Sequence, residues 1–152
     1  MLAFDKETER RIFRVAEART KGEPLHDGLD QLVSEVMDLH PEFDELWPQG
    51  DVALIAQPVN GQIVHPFVHV VLHGIIAGQL HHENPEFVKE TQQRLMASGL
   101  DEHESLHTIM SVYGDLYFRG VRQEGEFDQW EYSTRLSQIV VEDIAPTSAG
   151  DE

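Results

Sequence analysis

Two histidine pairs, His69 with His73 and His103 with His107, are the residues of this chain best suited to hold chemistry. Residues four apart share one face of a helix. Two such helices side by side would aim four imidazoles at one point, a donor set that suits a divalent zinc, nickel, iron or copper ion. If all four bind, the shell is closed and the metal is structural. If three bind, an open position allows hydrolytic chemistry on a water of lowered pKa. His65, one turn before His69, and His40, at the end of an earlier helical pattern, are further candidate ligands. The competing reading is a metal-free structural or interaction protein whose core histidines are satisfied by ordinary hydrogen bonds.

His103-Glu104-Ser105-Leu106-His107 also fits H-E-x-x-H, in which the glutamate activates a metal-bound water. A zinc-dependent hydrolase with Glu104 as the catalytic group is therefore a third reading. Helix geometry argues against it. At about 100° per residue, His103 lies about 60° and His107 about 100° from an apolar stripe centred near Leu106, Met110 and Tyr113, whereas Glu104 lies about 160° away. That places Glu104 toward solvent as a partner of Asp101 in a capping box. A further protein ligand is not evident either, because Glu124, Glu126 and Glu131 fall in or near a loop.

Composition narrows the field. The chain has no cysteine, which excludes disulfides, thiolate metal sites and cysteine nucleophiles. It carries 28 Asp and Glu against 11 Lys and Arg, a formal net charge of -17. Such a surface repels nucleic-acid backbones and anionic membranes. A second copy or another protein remains as a partner. The acidity suits salt adaptation as well as it suits an ordinary acidic protein. The first ten residues are charged early and hold no apolar signal core, so the cytoplasm is expected.

Hydrophobic periodicity predicts a single all-α domain over residues 1–144, a bundle of about six helices, and a disordered acidic tail at 145–152. Asp5 caps the first helix and Lys21-Gly22 ends it. The second runs from about Leu25 to His40 with Asp27 or the residue before it as its cap, and Pro41 closes it. Residues 41–64 lack a helical period, and a short hairpin is expected near 52–64, pairing Val52–Ala56 with Ile63–Val64 around Asn60-Gly61. From Val52 to His82 there are 31 residues without Asp, Glu, Lys or Arg. Within that stretch, Pro66 to Leu80 reads as a central apolar helix, too short and too rich in histidine to cross a membrane. Asn84-Pro85 should cap the next helix, Asp101 with Glu104 the one after it, and Asp128 a last helix carrying Tyr132, Leu136, Ile139 and Val140.

The blocks His40-Pro41-Glu42-Phe43, Pro66-Phe67-Val68-His69 with His73 and Gln79, and His103-Glu104 with His107 resemble a bacterial family known as domain of unknown function 1841. The likeness continues to Tyr132 and Leu136 and covers roughly residues 25–140. The chain departs from the family pattern at His65, where the family has asparagine, and at Asp44, where it has histidine. The resemblance implies a small helical protein whose histidine blocks converge, and no particular activity.

Overall fold

The computed structural model describes residues 1–123 and 125–144; Glu124 and the tail expected at 145–152 lie outside the described residues. Among the described residues the chain is all-α, with six α-helices, three 3-10 segments and one two-stranded hairpin. No helix is long and apolar enough to cross a membrane. The chain divides into two compact units, Met1–Ile75 and a second beginning at Ile76.

In the first unit, α1 (Lys6–Lys21) starts where the Asp5 carboxylate accepts from the Thr8 N–H and stops at Gly22, whose φ of 70° only glycine adopts without strain. Helix α2 (Gly28–Asp38) starts at Asp27, whose side chain accepts from the Asp30 N–H. The two helices pack together, and α1 supplies the arginines for the acids of α2. Asp30, only 1% exposed, accepts from Arg11 and Arg14, each at 2.6 Å, and from the His26 N–H at 2.9 Å. A buried carboxylate needs this much hydrogen bonding. Burial alone would raise the Asp30 pKa. The bonds from Arg14, the His26 backbone and Arg11 outweigh it and hold the carboxyl below its ordinary value.

Two 3-10 segments follow, Pro41–Phe43 and Trp47–Leu54, the second kinked at Gly50 with φ 69°. Here the structure corrects the sequence expectation. Val52–Leu54 completes a 3-10 turn in place of the expected first strand, and the side-chain amide of Gln57 donates to the Val52 carbonyl, 2.5 Å away. The strands are β1 (Gln57–Val59) and β2 (Gln62–Val64), paired antiparallel. Asn60 and Gly61, at φ 51° and 83°, make the tight turn between them.

Helix α3 (Pro66–His82) runs two residues past its expected end at Leu80. Its N-terminal turns belong to the first unit, whose core includes Ile12, Val33, Met37, Phe43, Val70 and Val71. Gly74 has no side chain because Leu2 lies against it, where a β-carbon would collide with the leucine methyl.

In the second unit, α4 (Glu86–Ala97), α5 (Glu102–Arg122) and α6 (Gln129–Ser137) pack on one another. Two expectations change. Asn84 does not cap α4; Pro85 occupies the cap position, with no side-chain cap bond, after a cis Asn84–Pro85 peptide. Helix α6 ends at Ser137, so Ile139 and Val140 follow it outside the helix. Arg94 of α4 explains the stop, because its guanidinium donates to the Leu136 and Ile139 carbonyls that a longer helix would bond internally. Tyr132 is buried and donates to the Gln79 side-chain oxygen at 2.9 Å. Burial, with a smaller contribution from Tyr113, pushes its phenol far above the usual range.

Candidate metal centre

Three imidazoles meet inside the first unit. His69 and His73 stand one turn apart on α3, in a stretch that has no charged side chain to draw them outward. His40 comes from beyond the end of α2. Pro41 disfavours helical backbone at the residue before it, and His40 leaves the helix at φ -131°, ψ 59°. The ring of His40 lies 4.5 Å from that of His69 and 4.9 Å from that of His73, centroid to centroid, and the two α3 rings are 6.2 Å apart. All three are buried, at 0%, 5% and 1% exposure for His40, His69 and His73. One ring nitrogen of each lies within 4.8 Å of those of the others.

The orientation of His40 is set by its neighbours. Its Nδ1 stands 2.8 Å from the Val36 carbonyl, which can only accept, so Nδ1 carries the proton. The Nε2 lone pair of the neutral ring then points at His69, whose Nε2 is 2.9 Å away. Phe43 stacks on the His40 ring at 5.6 Å, nearly parallel at 7°, and meets His69 edge-on. A backbone carbonyl on the far nitrogen is how proteins commonly hold a ligating imidazole. Two nitrogens bound to one ion at about 2.1 Å lie about 3.0 Å apart at a right angle and about 3.4 Å apart in a tetrahedron. The observed 2.9 Å is close to the first and about 0.5 Å short of the second.

His65 is half-buried, and its Nδ1 accepts from the Val68 N–H at 3.2 Å, capping α3. Burial lowers its pKa against smaller opposing effects from backbone hydrogen bonds. In the second unit, His103 and His107 are both half-buried and lean on each other, ring centroids 3.9 Å apart. Glu104 completes the capping box: its N–H donates to Asp101 at 2.7 Å, and its carboxylate accepts from the Asp101 N–H at 3.1 Å. His107 and Glu104 also border a shallow cleft of about 430 Å³ with Val112 and Ile139. His81 and His82 are exposed.

Periodicity alone could pair residues on one helix but could not bring His40 to α3. The available signal was its place before Pro41, where the chain must turn away from the helix. The roles of the Val36 carbonyl and Phe43 left no sequence signal.

A family model described as domain of unknown function (DUF1841) matches residues 5–138. The chain belongs to that family. No curated protein and no solved structure matches the chain.

Proposed function

We propose that this protein binds one divalent transition-metal ion through His40, His69 and His73. The observation that carries this reading is three buried imidazoles clustered in the first unit, one of them aimed by a backbone carbonyl. Neutral nitrogen donors favour zinc, nickel, copper or iron over magnesium and calcium, which take oxygen ligands.

The test uses protein purified without a histidine tag. Metal analysis should return close to one ion per chain. Adding that ion to stripped protein at about a hundred times its Kd should stabilise the fold by about 2.7 kcal/mol, which raises Tm by about 5–10 °C in a chain of this size. Sub-stoichiometric metal together with an unchanged Tm overturns the reading.

One observation favours a second reading. With Nδ1 of His40 bonded to Val36, its Nε2 accepts a proton shared from His69 at 2.9 Å, which is an ordinary hydrogen bond. In that case the cluster is a metal-free hydrogen-bonded core, and the same experiment decides between the two.

A further inference from the structure

The first unit holds a cavity of about 600 Å³ between α1 and the start of the Trp47–Leu54 segment. That volume suits a small organic ligand, since such sites usually span about 300–1,000 Å³. Phe13 and Trp47 form an aromatic wall, edge to face at 6.2 Å, and Ala16 leaves room beside them. Trp47 is 5% exposed, and its buried indole N–H has no hydrogen-bond partner among the described residues.

The rim carries both signs of charge. Lys21 pairs with Glu17 at 2.6 Å, but their side chains are 59% and 62% exposed, and such surface pairs exchange partners readily. Asp44, on the same rim, is exposed. A purely cationic ligand would leave Lys21 unmet, and a purely anionic one would face Asp44.

We propose that this cavity binds a free amino acid with an aromatic side chain. Its ring packs on Phe13 and Trp47, its carboxylate accepts from the Lys21 ammonium, and its own ammonium meets Asp44. The proposal is independent of the metal centre.

Trp130→Phe leaves Trp47 as the sole tryptophan of the two, so its emission reports on the cavity. The full-length variant is titrated with L-phenylalanine, 3-phenylpropionate, phenethylamine and glycine, with calorimetry in parallel. L-phenylalanine should shift the emission, and each analogue lacking one charged group should bind at least about tenfold more weakly. In Asp44→Asn the advantage over 3-phenylpropionate should fall below about threefold, because the partner of the ammonium is gone. Filling the cavity by Ala16→Leu, or its exposed rim by Thr20→Phe, should abolish binding. The proposal is overturned if L-phenylalanine gives no calorimetric signal or binds no tighter than either analogue. Undiminished binding to both filled variants overturns it equally.

Discussion

The same His-x-x-x-His spacing occurs on α3 and on α5, and the two pairs end differently. On α3 the rings stand 6.2 Å apart and share a third imidazole, His40. On α5 they lean on each other at 3.9 Å, on a helix whose first turn carries Glu102 and Glu104. Spacing puts two rings on one face of a helix, and the surroundings decide what they meet there. Around α3 the core supplies a partner ring, an orienting carbonyl and the face of Phe43. Around α5 the acidic first turn and the capping box tie the helix start to solvent.

The strongest way to break this contrast is by substitution around α3. His40→Ala or His69→Ala should weaken metal binding more than a hundredfold in a competition titration, beyond the 10- to 100-fold typical of losing a group that only orients a ligand. Losses of less than about tenfold from both substitutions would dissolve the distinction.

Asp30 sharpens it from within the first unit, since its buried carboxylate is met by the guanidiniums of Arg11 and Arg14. Asp30→Asn should cost about 3 kcal/mol in urea unfolding, at the low end for a buried pair because Arg14 reaches solvent. Metal affinity should be unchanged. The sign with pH follows from the lowered Asp30 pKa. The unfolded carboxyl, near about 3.9, takes up protons first, so the stabilisation is complete above that value and is lost as pH falls through the lower folded one. The variant should therefore show a flatter acid limb.

The smallest effect belongs to His65, which caps α3 without joining the cluster. Burial lowers its folded pKa, so its contribution is present above the unfolded value of about 6.5 and is lost as pH falls below it. His65→Asn retains a side-chain acceptor for the Val68 N–H. It should change stability at pH 7.5 by less than about 0.5 kcal/mol while reducing the loss between pH 7 and 5. An unchanged pH profile would remove His65 from that role.

The parts of the fold legible in the sequence were those governed by neighbours in the chain. Asp5, Asp27, Asp101 and Asp128 each cap the helix they were expected to cap, because that bond spans only three residues. The stop of α6 was not legible, because it depends on Arg94, which lies 42 residues before Leu136. The 3-10 turn at Val52–Leu54 was hidden for a similar reason, since apolar residues without polar alternation fit a strand equally well. Two members of the imidazole cluster could be read from their period on α3. The third required the turn at Pro41 to be folded in space.

The contact of Leu2 with Gly74 has a consequence for the order in which the molecule is made. Leu2 has its resting place only after Gly74 has emerged from the ribosome, so the first unit cannot close while it is being synthesised in part. Until then the segment around Leu2 stays uncovered, and a nascent-chain protease assay should find it cleavable up to the length at which α3 leaves the exit tunnel.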